Sequence, residues 1–351
     1  MWIFFRFISS IYLKNFFILF FALLGFYCGI DLLLNFKDLP NSANLGLLYT
    51  LFLAFSAITY VLPISLIFAL VLSLLNMIRN NEFVSLYALG LSKNLVIIFP
   101  FIWAIIFCFI YIISNFTPFA YANDYKRNIL KNGTLSKQST DLFLKFDDSF
   151  IYISSLNEQN TLNEVKIFNI KDLNLSSFIV AKKAVFKDET WTLKETNATS
   201  LPDTFLLGEN GFVKENFESI SGLVGFKPKI IENVANNRDS SIKDSLESLI
   251  LFKEQGININ AIKISLYKQI FTPFFAPFLM LIMYYFFPII SRFFNLAFVA
   301  FVAFIVTFAV WGTLFIAMRL SENGVIASEL AIVLPILCLG FFAFFIFYKH
   351  R

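Results

Sequence analysis

The stretch KNLVIIFPFIWAIIFCFIYIISNFTPFAYAND, residues 93–124, decides the fold: it holds 30 uncharged residues between Lys93 and Asp124, and the sequence changes character after it. A bilayer core takes about 20 apolar residues per helix, so a membrane span is expected near 95–117. Working back, no charge occurs between Asp38 and Arg79. That run holds a Pro40–Gly46 turn cluster and then a second span over 50–77. Lys14 to Asp31, extended by Leu32–Phe36, gives a first span near 15–36, and residues 1–13 (Trp2, Phe4, Phe5, Arg6, Phe7) are expected as a short interfacial helix before it. The first run is longer than a signal-peptide core, lacks a small-x-small cleavage site and is followed directly by further spans, so it reads as a retained helix. Working forward, apolar runs at 269–291, 293–318 and 330–348 bring the count to six spans, three before the middle segment and three after it.

Beyond Asp124 the period falls to two. Leu142/Leu144/Phe146, Phe150/Tyr152 opposite Ile151/Ile153, Val165/Ile167 opposite Phe168/Ile170, Phe178/Val180/Ala184/Phe186 and Trp191/Leu193 read as strands. Turn signals at Asp147–Ser149, Asn157–Asn160, Asp172–Asn174 and Lys187–Glu189 separate them. Short antiparallel strands at this spacing predict a sandwich or jelly-roll. From Ser240 the period becomes helical: Ile242, Leu246, Leu249, Ile250 and Phe252 give an amphipathic helix ending at Gly256, expected to lie over the membrane and lead into span four. The fold class is therefore an α+β membrane protein, six transmembrane helices with an antiparallel β-jellyroll-like domain inserted between helices 3 and 4. The expected divisions are 1–123, 124–240 and 241–351.

Composition agrees with a membrane protein: 58% of the residues are hydrophobic, mean hydropathy is +0.72, and 48 are Phe. The net charge of +4 gives no sign of nucleic acid; its distribution gives the orientation. With the N-terminus inside, the short inner segments carry seven basic residues (Arg6, Lys14, Arg79, Lys93, Arg292, Lys349, Arg351) against Glu82 alone. The short outer segments carry Lys37 and Arg319 against Asp31, Asp38, Glu322 and Glu329, and residues 124–268 are balanced at 19 of each sign. The β domain is thus expected outside and both termini in the cytoplasm.

Several chemistries are excluded. Cys28, Cys108 and Cys338 all lie in apolar runs, with neither disulfide nor metal spacing, and no cofactor is expected. The single histidine, His350, is next to last. None of the 13 glycines is followed by lysine, so there is no P-loop. Asp31, at the outer end of span one, is the exception to spans otherwise without ionisable groups, so no ion relay is built in. A transporter with neither a motor nor an ion relay takes its energy from a partner.

The segment suited to receive it is Arg79-Asn-Asn-Glu82-Phe-Val-Ser-Leu-Tyr-Ala-Leu-Gly90-Leu-Ser-Lys93. Asn80 or Asn81 is placed to cap a short helix, Glu82 falls in its first turn and Gly90 ends it. Phe83, Leu86 and Tyr87 form an apolar stripe, which packs either in the lipid interface or in the groove of a cytoplasmic motor.

The Asn81–Ser92 stretch resembles the S-E-L-x-x-L-x-A-x-G-x-S motif of the LptF/LptG lipopolysaccharide-export permeases. The resemblance covers essentially the whole chain. It takes in the Pro63-bearing second span, Phe150-Ile-Tyr-Ile153, Ile167-Phe-Asn, Trp191-Thr-Leu193 and the Tyr267–Pro273 entry to span four, and its β-domain wording leans toward the LptG member. It implies a transport permease with no ATPase site of its own. Such a permease pairs with an LptF-type (or LptG-type) permease as a heterodimer, sits on an LptB-type ATPase dimer with an LptC-type single-span protein, and lies among the membrane lipids of a Gram-negative inner membrane. It extracts lipopolysaccharide or lipooligosaccharide and passes it by its periplasmic β domain toward the outer membrane. Carried over by motif, Glu82, Phe83, Leu86 and Tyr87 are the ATPase-docking coupling helix. Phe20, Leu24, Tyr27 and Asp31 on span one, with Lys37 beyond it, and Phe301, Phe304, Phe308 and Trp311 on span five line the gate and lipid cavity. Some family members have a lysine near the outer end of span one; this chain has Asp31 there, and Lys37 is the nearby cation. Permeases for lipoprotein extraction or mechanotransmission usually place the large domain after the first span, and a glycolipid transferase lacks support without histidine or clustered acids. Two sequons with an acid at position −2, Asp172-Leu-Asn174-Leu-Ser176 and Glu195-Thr-Asn197-Ala-Thr199, are glycosylation candidates on the outer domain.

Overall fold

The computed structural model describes residues 2–350 apart from 134–138, 147–148, 158–160, 172–173, 188–189, 203–210, 224–225, 227–239, 255–258 and 289–294. It divides into two compact units, one of residues 1–126 and 263–351, the other of residues 127–262. Part of each expected turn in the β domain, together with Gly256 and Arg292, lies outside the described residues.

The first unit contains six helices long and apolar enough to cross a membrane. Their apolar runs carry few polar side chains, so the backbone must satisfy itself within each segment, which in lipid means helix. Helix α1 (Trp2–Leu34) is continuous over 33 residues, about 50 Å at 1.5 Å per residue. The separate interfacial helix expected over 1–13 is therefore not formed. Ile8, Tyr12 and Phe16 are instead buried in the bundle core, which holds the N-terminal residues in line with the span. Helix α2 (Ala43–Arg79) follows. Its best membrane window is 72% buried, against 6% for α1, so α2 is the central post of the bundle. Pro63 sits inside α2 and removes one helix hydrogen bond, which membrane helices tolerate where neighbours pack closely. The Tyr111 hydroxyl bonds Thr59 Oγ1 at 3.2 Å one turn earlier.

A short helix α3 (Glu82–Ala88) leads to α4 (Lys93–Ser114), capped by Ser92, whose hydroxyl accepts from the Leu95 N–H. After α5 (Ala122–Asn132) and the β unit, α6 (Ile242–Glu254) starts from a reciprocal cap: Ser241 Oγ accepts from the Asp244 N–H and donates to the Asp244 carboxylate. Among the described side chains of α6, Ile242, Ser245 and Ser248 are buried, Leu249 is half-buried and Leu246 and Ile250 are exposed, while the side chain of Phe252 lies outside the described residues. Span four begins earlier than expected, running from α7 (Asn260–Ile270) through a 3-10 turn at Thr272–Phe274 into α8 (Phe275–Phe286), and the expected end near 291 lies outside the described residues. Span five is α9 (Leu296–Glu322), and span six is a π turn at Glu329–Val333 continued by α10 (Leu334–Lys349).

The second unit holds an antiparallel sheet whose six described strands pair in chain order: β1 (Ser139–Phe146), β2 (Ser149–Asn157), β3 (Thr161–Lys171), β4 (Asn174–Lys187), β5 (Thr190–Ser200) and β6 (Val213–Gly222). Each of the five ladders lacks a pair in the same row, which runs through Asp141, Ser154, Glu164, Lys182, Glu195 and Glu218. Glu164 (φ 47°) and Glu195 (φ 50°) are left-handed there. The buried set also changes parity at this row, from Leu162 to Val165 and Ile167 on β3 and from Trp191 and Leu193 to Thr196 on β5. A one-residue phase slip turns every later side chain to the other face. Here all the strands slip in one row, so register survives and the sheet is creased around a single core. Trp191 closes that core, its indole N–H donating to the Phe226 carbonyl.

A non-glycine residue in the left-handed region costs about 1–2 kcal/mol, and a β-branched one more. Glu164→Gly and Glu195→Gly should therefore hold or raise stability by up to about 1 kcal/mol, while Glu164→Val and Glu195→Val should lower it by about 1–2 kcal/mol. Hydrogen exchange of the β3–β5 amides in the full-length chain reads both directions.

Candidate functional site

Three places in the helix unit carry the residues singled out by sequence. The first is α3. Asn81 precedes it in a left-handed conformation (φ 56°) and makes no side-chain cap bond; Asn80 Nδ2 instead donates to Glu82 Oε1 at 3.2 Å. Gly90 (φ 85°) ends it: the Gly90 N–H reaches the Tyr87 carbonyl and the Leu91 N–H reaches the Leu86 carbonyl, a Schellman closure that needs the glycine. Phe83 and Leu86 are 3% and 5% exposed and belong to the bundle core. The stripe that looked free to meet a partner thus faces its own chain, and the outward face is Glu82, Val84, Ser85, Ala88 and Leu89. Tyr87 also turns inward, its hydroxyl 3.2 Å from that of Tyr284, and burial raises its pKa so that it stays a protonated donor.

The second place comprises the candidate gate residues, which form two groups anchored on different faces of α2. On α1, Asn15 Nδ2 donates to Ser73 Oγ at 2.9 Å and Tyr12 to the Leu66 carbonyl at 3.3 Å. Phe16 stacks on Phe107 at 4.4 Å and on Phe20 at 5.5 Å, and Leu24 and Tyr27 are half-buried further along. On α9, Phe304 stacks on Phe68 at 5.3 Å and touches Phe308 at 4.5 Å, with Trp311 6.3 Å from Phe308; Phe301 is exposed. Positions 66 and 73 point about 20° apart on a helix, and position 68 about 140° from position 73. The α1 and α9 groups therefore do not meet through α2, and each presents an apolar face outward.

The third place is Asp31. Its carboxylate accepts from the Tyr49 hydroxyl, from Asn35 Nδ2 at 3.0 Å and from Lys126 Nζ at 3.2 Å. The side chains of Lys126 and Asp31 are 15% and 18% exposed, so the pair is largely desolvated. The cation beside Asp31 is thus Lys126 of α5, while Lys37 is exposed in the 3-10 turn Phe36–Asp38. Sequence reading missed Lys126 because 95 residues separate the partners.

The sequon asparagines lie in the other unit. Asn174 is exposed at the start of β4, whereas Asn197 sits mid-strand, its backbone paired with Val180 and Asn216 on the two sides. A transfer enzyme that needs an extended, detached acceptor cannot take Asn197 without opening two ladders.

Six apolar helices, a separate antiparallel sheet inserted after the third and a short core-anchored helix between the second and third define a multi-pass membrane protein with a large inserted domain. The family model for the lipopolysaccharide export system permease LptF/LptG matches residues 6–349, and the chain belongs to that family. The match is to the family shared by both members and does not separate LptG from LptF. A search of curated proteins finds no match. Membership makes this an inner-membrane transport permease of lipopolysaccharide export rather than an enzyme.

Removing one partner of a desolvated ion pair leaves a charge with no compensation, which costs more than removing both. Asp31→Leu should lower the melting temperature of the purified chain, and adding Lys126→Met should restore part of the loss. A double variant worse than Asp31→Leu by the full Lys126→Met effect would mean that the two side chains are not coupled.

Proposed function

We propose that this chain is one half of a permease heterodimer, LptG-type with an LptF-type partner or the reverse, driven by an LptB-type ATPase dimer and joined by an LptC-type single-span protein. It withdraws lipopolysaccharide or lipooligosaccharide from the outer leaflet of the inner membrane and hands it to the β domain in the periplasm. The observation that carries this is α3: a short helix locked to its own bundle by Phe83 and Leu86 while Glu82, Val84, Ser85 and Leu89 face outward. Anchoring on one side and exposure on the other suit a helix that takes a push and passes it on. The excess of basic residues in the short loops on the α3 side supports a cytoplasmic position for that side and a β domain across the membrane. The apolar faces of α1 and α9 on different sides of α2 suit a cavity that a second permease completes, with Phe20, Leu24, Tyr27, Phe301, Phe304, Phe308 and Trp311 toward lipid chains. The Asp31–Lys126 pair and Lys37 lie where a phosphorylated headgroup would pass.

Phe83 and Leu86 then support the docking element from beneath, and Glu82 with Val84 and Leu89 makes the contact. A carboxylate in the first turn of α3 contributes only about 0.3–1 kcal/mol to its own helix. Against a basic groove the same group is worth about 2–5 kcal/mol, a 30-fold or greater change in affinity. Glu82→Ala and Leu89→Asp should therefore reduce ATPase copurification and lipid export while membrane levels stay normal. Leu86→Asp should instead lower the membrane level itself, because it puts a charge into the core. Full ATPase binding by both Glu82→Ala and Leu89→Asp would contradict the assignment.

A further inference from the structure

Beneath α3 four elements are tied by hydrogen bonds that the lipid path does not use. The Tyr284 hydroxyl, near the end of span four, donates to the Lys93 carbonyl at 2.9 Å. A phenol has one hydrogen to give, so in its 3.2 Å contact with Tyr87 it accepts, and Tyr87 is the donor. The next residue repeats the pattern: Tyr285 donates to Asn94 Oδ1 at 2.7 Å. That bond orients the Asn94 amide, whose Nδ2 donates to the Phe347 carbonyl of span six at 3.2 Å. The His350 ring stacks on Tyr285 at 4.8 Å, and its Nδ1 lies 2.9 Å from the Ile346 carbonyl. Two consecutive tyrosines on span four thus grip two consecutive residues at the start of span three and extend the grip to the last turn of span six.

The covalent route out of α3 is compliant by comparison. One side is a left-handed asparagine, Asn81, and the other the Gly90–Ser92 turn. A push on α3 carried by the chain alone is dissipated as rotation at these two junctions. A push carried by side chains meets Phe83 and Leu86 in the core and Tyr87 against Tyr284, and the tyrosine contact is directional where apolar packing is not.

We propose that Tyr284 is a positioning residue for transport, the point at which displacement of α3 is transferred through Tyr87 to span four and, by way of Lys93, Asn94 and Tyr285, to spans three and six. The proposal rests on the reading of α3 as the element that receives the ATPase. Its chemistry requires a bond that holds while the elements move together, and Tyr87, Tyr284 and Tyr285 supply phenols that stay protonated donors throughout the physiological range.

The test uses the whole permease complex with its ATPase, reconstituted in lipid bilayers loaded with purified lipopolysaccharide, and measures ATP hydrolysed and lipopolysaccharide released in the same sample. Tyr284→Phe removes one oxygen and keeps the ring. It is expected to leave ATPase copurification and ATP turnover in place while lipid released per ATP falls about tenfold or more, because both the bond to Lys93 and the bond from Tyr87 are lost. Tyr87→Phe combined with Tyr284→Phe should be no worse than Tyr284→Phe alone, since Tyr284→Phe already breaks the link that Tyr87→Phe removes. An unchanged lipid-to-ATP ratio in Tyr284→Phe, or a double variant that loses the product of the two single effects, would overturn the proposal. Should Tyr284→Phe fold poorly, Tyr87→Phe, which breaks only the contact between the two phenols, decides the matter. A fall in lipid released per ATP supports transfer through the knot, and an unchanged ratio refutes it. Failure of the wild-type permease to copurify any ATPase would instead refute the docking reading, so the two failures are read on separate axes.

Discussion

Span two must bury a helical face along most of its length without carrying a charge, and the other helices take their places from that requirement. Ala57, Ser65, Ala69 and Ser73 keep its buried surface narrow, which lets neighbouring backbones come close where lipid offers no hydrophobic driving force. Tyr12 and Asn15 hold α1 to one face of it by hydrogen bonds, and Phe304 and Phe308 hold α9 to another through Phe68. Because those two attachments lie on different faces, α1 and α9 leave broad apolar surfaces that this chain does not cover with each other.

Two polar clusters stand out among the described residues of the helix unit. At one, Asp31, Tyr49, Asn35 and Lys126 share a largely desolvated cluster that joins α1, α2 and α5. At the other, Tyr87, Tyr284, Tyr285 and Asn94 join α3 to spans three, four and six. Buried polar groups of this kind fix geometry because every alternative arrangement leaves one of them unpaired. Between these clusters the core is largely apolar, and its buried polar side chains, Ser65, Ser73 and Thr307 among them, are uncharged.

The six spans were legible because charge-free runs in lipid have one structural outcome, and the left-handed Gly90 was legible because a helix that ends there needs it. The direction in which Phe83 and Leu86 point was not. An i, i+3 apolar pair is written the same way whether it packs on its own bundle or on a partner, and only the surrounding core residues, distant in sequence, decide. Residues 1–13, with Arg6 among the aromatics Trp2, Phe4, Phe5 and Phe7, read as an interfacial helix ahead of the charge-free span, yet Tyr12 is fully buried and carries the helix straight through. Asp31 stood out as a lone charge, but its cation lay beyond two further spans. The sheet crease left a trace in sequence, the parity change around Glu164 and Glu195; ordinary glutamates gave no sign of left-handed backbone there.

Whether this chain moves a glycolipid rather than a protein or an ion is read by mass spectrometry of the detergent-purified complex. A lipid A-bearing glycolipid should be retained at about one per permease pair and released on adding ATP and magnesium. A complex that carries only ordinary phospholipid, with ATP changing nothing it binds, would contradict glycolipid transport.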